Sequence, residues 1–230
     1  MPRKPRFFVP GIAAHIVQRG NNRQPTFFEE QDYRVYLSLL RAAAKRFRCL
    51  IHAYTLMTNH VHILATPIEQ QSVSQLMQHV GRHYVPHINR KYGRTGTLWE
   101  GRFKASSVES SSYVLACYRY IELNPVRARI VDRPADYPWS SYRRNACLAP
   151  DRTIVEHPEY SRLGSSRAKR ASNYLQLFEQ PLGEDGHSAI RLHTHSGTPL
   201  GSKPFREGID QALSLNTGQP KRGRPRIKGL

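Results

Sequence analysis

His60 and His62 are separated by a single valine in the stretch MTNHVHIL. In an extended strand alternate side chains share a face, so the two imidazoles would project side by side, about 7 Å apart at Cα. That spacing suits chelation of one divalent cation, with Val61 and Ile63 facing the other way. Taken alone, the pair reads more simply as one packed histidine beside one at the surface. A second signal shifts the balance. Tyr120 and Asn124 lie four residues apart in a helically patterned stretch, which puts a phenol and a carboxamide oxygen on one helix face. If that face meets the histidines, Asn124 adds a hard oxygen ligand to His60 and His62, and Tyr120 is a nucleophile. A tyrosine hydroxyl ionises only near a pH of about 10, so it needs help from a metal or a base. Tyr113 and Tyr118 on the same stretch read as packing residues.

Other histidines compete for the metal role. His79, His83 and His87 recur every fourth residue, but Arg82 and Arg90 among them favour a basic face for nucleic acid. His193-Thr194-His195 falls in a Gly-, Ser- and Pro-rich stretch with no strand to hold it. Trp99, Arg102, Phe103 and Lys104 interleave rings with cations, as a path for single-stranded nucleic acid requires, although Trp99 and Phe103 read equally well as core. Arg19, Arg23, Arg82 and Arg127 are further candidate phosphate contacts, with Arg90, Lys91 and Arg94 behind them.

The elements that must position these residues are legible. His15–Gly20 is a short strand ending at a Gly-Asn-Asn turn, and Gln31–Phe47 is a helix with Tyr33, Tyr36, Leu37, Leu40 and Ala44 on one face. Cys49–Thr58 and Val61–Thr66 form a hairpin about the Thr58-Asn59-His60 corner. Val73–Tyr92 is a long helix broken or kinked at Pro86, and Phe103–Glu109 is a fourth strand. Ser112–Val131 is a helix with a Ser-rich N-cap that Pro125 bends or stops. This βαββαβα series predicts an α+β fold: a ferredoxin-like βαββαβ antiparallel sheet with helices on one face. Beyond about residue 145 the composition turns to Gly, Pro and Ser, with two short helical pieces at Ala171–Glu179 and Glu207–Leu215. The last twelve residues, QPKRGRPRIKGL, carry five cations and no acid, as a flexible basic arm would.

Charge names the kind of partner. Thirty-five Lys and Arg against 17 Asp and Glu leave +18 over 230 residues. Residues 1–150 hold 22 basic and 9 acidic side chains (+13), so the excess belongs to the folded part as well as to the arm. A polyanion is expected, and nucleic acid fits best through neutralised phosphates. No apolar run approaches the roughly 18 residues of a membrane span, and the N-terminus lacks an apolar signal-peptide core. Three scattered cysteines make neither a disulfide framework nor a cysteine zinc site. A cytoplasmic, nucleoid-associated protein is expected.

Four motifs in order, MTNHVHIL, LWEGRFKASSVES, CYRYIELNPVRARIV and YPWSSYRRN, resemble the REP-associated tyrosine transposases, single-tyrosine IS200-like members of the HUH endonuclease superfamily. The resemblance covers residues 7–145. It implies that His60 and His62 are metal ligands with Asn124 at the third-ligand position, and that Tyr120 is the nucleophile. It also implies Mg²⁺ or Mn²⁺, which imidazole plus oxygen ligands suit. The implied substrate is single-stranded DNA bearing a hairpin of the repetitive extragenic palindrome type, cut through a 5′-phosphotyrosine. The expected organisation is a transposase domain over 1–145, an extension with short helices over 146–218, and a tail over 219–230. In that tail Arg222, Arg224 and Arg226 flank a Gly-Arg-Pro core resembling an AT-hook, which suits duplex minor grooves. A monomer is favoured over a dimer. The competing reading is a non-catalytic regulator that binds repeat hairpins.

Overall fold

The computed structural model describes residues 8–179 and 182–217. The order is β1 (Ala14–Arg19), α1 (Glu30–Arg46), β2 (Cys49–Met57), β3 (His60–Pro67), α2 (Ser72–Lys91), β4 (Lys104–Ser107), α3 (Ser110–Glu122) and α4 (Asn124–Arg127). Five helices follow: α5 (Tyr142–Asn145), α6 (Pro158–Ser161), α7 (Arg167–Gln176), α8 (Glu184–Ser196) and α9 (Lys203–Thr217). The strands form one antiparallel sheet in the order β2-β3-β1-β4. This is the expected ferredoxin-like βαββαβ arrangement.

On one face, Ile16, Ile51, Leu56, Val61 and Ile63 of the strands pack against Tyr36 and Leu40 of α1 and Leu76, Val80, Tyr84 and Ile88 of α2. The four-residue spacing along α2 keeps that stripe on the sheet. A register shift between Ile51 and Ala53 returns Tyr54 and Leu56 to the same face as Ile51. Pro86 does not break α2, which runs through it to Lys91. Its ring is exposed on the solvent side, so only its missing N–H is lost. Asp32 ties α1 to the end of α2: it accepts from the Phe28 and Glu29 amides and holds Lys91 Nζ at 2.6 Å.

The helices of the βαββαβ unit share that face as expected, whereas the tyrosine helix takes the opposite one. Ala13, Ala53, Leu64 and Val108 meet Val114, Cys117, Tyr118 and Ile121 of α3 there. Small residues on the sheet let the helix approach, and the i, i+3, i+4, i+7 spacing supplies its apolar stripe.

The extension closes over the outside of α3. Tyr160 of α6, Tyr174 of α7, Ile190 of α8 and Leu200 are buried in the same cluster. Residues 146–217 therefore carry more helix than their composition suggests, and α8 falls where a structureless stretch was expected. Its buried face is Ile190 and Thr194; a threonine, a glycine and three histidines hide the helical period. The arm with Arg222, Arg224 and Arg226 lies outside the described residues. Among the described residues, no helix is long and apolar enough to cross a membrane.

Candidate active site

β1 and β3 pair with Arg19 opposite His60 and Val17 opposite His62. Strand alternation puts His60, His62 and Leu64 on the α3 side, and on β1 it does the same for Ala13, His15 and Arg19. His15 and His62 stack with ring centres 5.2 Å apart. Tyr120 presents its ring edge-on to both, at 5.6 Å from His15 and 5.8 Å from His62. The Arg127 guanidinium lies 5.1 Å from the Tyr120 ring centre. His187 of α8 approaches the same ring at 5.8 Å. The sequence-predicted nucleophile and His62 thus meet within one chain, and His60 stands beside His62 at 5.0 Å.

Hydrogen bonds occupy one ring nitrogen of both His60 and His62. His60 Nδ1 lies 2.7 Å from Asn59 Oδ1, and Asn59 Nδ2 donates to the Arg23 carbonyl at 2.9 Å. His62 Nδ1 lies 2.9 Å from His15 Nε2. The Nε2 atoms of both rings are left for other partners. Burial pushes the His60 pKa down to about 4, with Arg19 adding to the effect. Burial likewise pushes His15 to about 3 and holds His62 well below the ordinary range, where His15, His60, Arg19 and Arg127 lower it further. All three are neutral at pH 7, the form that ligates a metal. Among the described residues, no cluster of three or more His, Cys, Asp or Glu could hold a metal. A divalent ion here fits two imidazoles completed by oxygen donors.

The depressed histidines dictate acid sensitivity. A His whose folded pKa lies below its unfolded value stabilises the fold above about pH 6.5 and loses that contribution as pH falls through the folded value. His15, His52, His60 and His62 all act in this sense. Glu122, pushed up to about 7 by burial, opposes them in part. Thermal unfolding in EDTA should therefore fall by roughly 10 °C between pH 7.0 and 5.5. A flat profile over that window would show that the histidines are not buried as neutral groups.

Asn124 follows Tyr120 by one turn. Pro125 has no N–H for the Ile121 carbonyl, which accepts instead from Thr55 Oγ1 at 2.8 Å and from Asn124 Nδ2 at 3.3 Å, while Asn124 Nδ2 also donates to the Tyr120 carbonyl at 2.8 Å. Its hydrogen bonds go to helix backbone, which leaves Oδ1 as the atom that a third-ligand role would use. The neighbouring Glu122 anchors α3 from inside. It is fully buried and accepts from Ser141 Oγ (2.5 Å), Asn145 Nδ2 (2.8 Å) and Tyr174 Oη (2.7 Å). The YPWSSYRRN motif is thereby tied to the tyrosine helix.

The candidate nucleic-acid residues divide. Arg19 and Arg127 flank the histidine face, and Arg23 contributes its carbonyl to Asn59 while its side chain is exposed. Arg82, Trp99, Arg102 and Phe103 line a groove of about 950 Å³ on the α2 side of the sheet. Trp99 and Phe103 are core residues, contrary to an open stacking role. Trp99 packs edge-on to Tyr36, and Phe103 stacks on Phe8. Lys104 is bonded to His195 of α8 at 2.8 Å, and Lys91 is engaged by Glu29 and Asp32. The His79 and His83 rings lie 4.1 Å apart and tilted on α2, and among the described residues no third metal-binding side chain joins them.

His15, Asn59, His187 and Thr194 escaped sequence reasoning. His15 was legible in principle, since it shares strand parity with Arg19. Asn59 sits in the corner of MTNHVHIL, where a turn residue is expected to serve only the turn. The α8 residues carry no local signal and reach the site only through the tertiary fold.

The family model of the IS200-like transposases matches residues 8–124, which is 117 of 230 residues. Among solved structures, a REP-associated tyrosine transposase bound to a REP hairpin is similar at 17% identity and a TM-score of 0.54, covering 68% of this chain and 93% of that one. A candidate transposase from Deinococcus radiodurans R1 is similar at 20% identity and a TM-score of 0.36, over 56% of this chain and 92% of that one. No curated protein matches. The fold is that of the REP-associated enzyme, and with just over half of its length matched the chain belongs to the IS200-like transposase family.

Proposed function

We propose that the protein is a metal-dependent, single-stranded DNA endonuclease and strand transferase that cuts beside repeat hairpins through Tyr120. The observation that carries this reading is the position of the Tyr120 ring, 5.8 Å from His62 in the same chain, beside two imidazoles whose Nε2 atoms are unclaimed. His60 Nε2, His62 Nε2 and Asn124 Oδ1 would hold Mg²⁺ or Mn²⁺, whose positive charge offsets the charge that builds on the scissile phosphate. Tyr120 Oη attacks phosphorus, the bond to O3′ breaks, and the departing oxygen takes up a proton as a free 3′-hydroxyl. The product is a 5′-phosphotyrosine. Attack by another 3′-hydroxyl reverses the step and joins strands, so one phosphodiester replaces another without ATP. Arg127, against the Tyr120 ring, and Arg19, on the histidine face, would hold the phosphates on either side. The substrate class, a palindromic repeat hairpin, is supported by the solved relative bound to a REP hairpin. A complete set of site residues in one chain supports action as a monomer. Duplex contact through Arg222, Arg224 and Arg226 would add affinity without entering the chemistry.

Separate His60→Ala and His62→Ala variants test the reading. Each should lose cutting of a hairpin oligonucleotide by roughly 100-fold or more while retaining hairpin affinity. Cutting at the wild-type rate by both variants would remove the histidines from the reaction.

A further inference from the structure

Thr194 lies on α8, beyond the region matched by the family, yet it ends a hydrogen-bond chain that starts at His62. Its hydroxyl donates to the Ile190 carbonyl at 2.8 Å. That bond uses its one proton, so toward His15 Nδ1, also at 2.8 Å, the hydroxyl oxygen accepts. His15 therefore carries its proton on Nδ1. Its ring is fully buried, where a second ring proton would leave an uncompensated charge, so Nε2 offers a lone pair. His62 Nδ1, 2.9 Å away, must then be the donor, which leaves Nε2 of His62 bare. Asn59 Oδ1 does the same for His60 by accepting from its Nδ1.

We propose that Thr194 and His15 form a positioning relay that locks His62 as its Nδ1–H tautomer and so readies Nε2 for the divalent metal. The inference rests on the metal-dependent reading above and deepens it: a helix of the C-terminal extension becomes part of the metal site. Its physical basis is the cost of an unpaired buried N–H. With valine at 194, the His15 Nδ1–H has no acceptor. The cheaper arrangement moves the His15 proton to Nε2, where it donates to His62 Nδ1. That shift places the His62 proton on Nε2, the atom needed for ligation. Partners behind a metal-bound histidine typically act in this way, and their loss costs about 10–100-fold in metal affinity.

The test uses the full-length protein with Mn²⁺ alone as probe. Mn²⁺ affinity is read by titration calorimetry, the His62 tautomer by imidazole ¹⁵N NMR of the metal-free protein, and folding by thermal unfolding. Thr194→Val should bind Mn²⁺ about 10–100-fold more weakly and move the His62 proton to Nε2, while Thr194→Ser restores both. Wild-type Mn²⁺ affinity in a folded Thr194→Val protein, with His62 still protonated on Nδ1, would overturn the relay. If Thr194→Val does not fold, the wild-type spectrum decides: a proton on Nδ1 of His62 supports the relay and one on Nε2 overturns it. A tautomer that responds to Thr194→Val in a protein that never binds Mn²⁺ would keep the relay and remove the metal reading.

Discussion

Replacing Tyr120 with Phe abolishes the covalent protein–DNA adduct and leaves hairpin binding intact. The substitution removes one oxygen, the proposed nucleophile, and keeps the ring that packs edge-on against His15 and His62 beneath Arg127. Because the aromatic contacts persist, α3 keeps its place, and Arg19 and Arg127, the proposed phosphate contacts, keep theirs. Loss of cutting with an unchanged melting temperature would therefore report chemistry rather than folding. Tyr118 cannot substitute: it is fully buried, with its ring against Tyr160 and Tyr174. The phenol has no equivalent among the side chains that touch the histidine pair, so the loss should be complete on a denaturing gel. A persistent adduct in Tyr120→Phe would mean that a different residue attacks.

A chain ended at residue 145, where composition alone would place the domain boundary, should fail to hold its native fold. Truncation strips Tyr160, Tyr174, Ile190 and Leu200 from the outside of α3, all of them essentially fully buried. At roughly 1.5–3 kcal/mol for each side chain, the loss is on the order of 10 kcal/mol, as large as the stability of a typical domain. Glu122 would also lose the Tyr174 hydroxyl, one of three donors that make its burial tolerable. The expected result is an aggregated or loosely packed product with exposed apolar surface, read by dye binding and by the loss of near-UV circular dichroism. A cooperatively folded, monomeric product of residues 1–145 would show that the extension only decorates an independent domain.

Much of the fold was legible because its signals are local. The H-x-H strand, the corner at Asn59 and the four-residue stripe of α2 each declare themselves within ten or twenty residues, and the element order then leaves few topologies. The pairing of Tyr120 with the histidines was legible through spacing together with resemblance, and the packing of α3 on the histidine face gives that pairing its geometry. Other features are products of tertiary packing. Trp99 and Phe103 have the composition of a nucleic-acid surface, and only their contacts with Tyr36 and Phe8 place them in the core. The buried face of α8 pairs an isoleucine with a threonine, so its period is invisible to an apolar count. His15 gives no sign of its role until β1 lies beside β3 and the two rings stack.

End-labelled DNA tests whether Tyr120 takes part in a metal-dependent covalent step. The protein is incubated with single-stranded hairpin oligonucleotides of the repetitive extragenic palindrome type, labelled at the 5′ or the 3′ end, in Mn²⁺ or in EDTA. The expected result is an adduct stable to SDS that carries the 3′-side fragment, forms with Mn²⁺ and is absent in EDTA. Tight hairpin binding with no adduct in Mn²⁺ or Mg²⁺, or an adduct that forms equally well in EDTA, would contradict it.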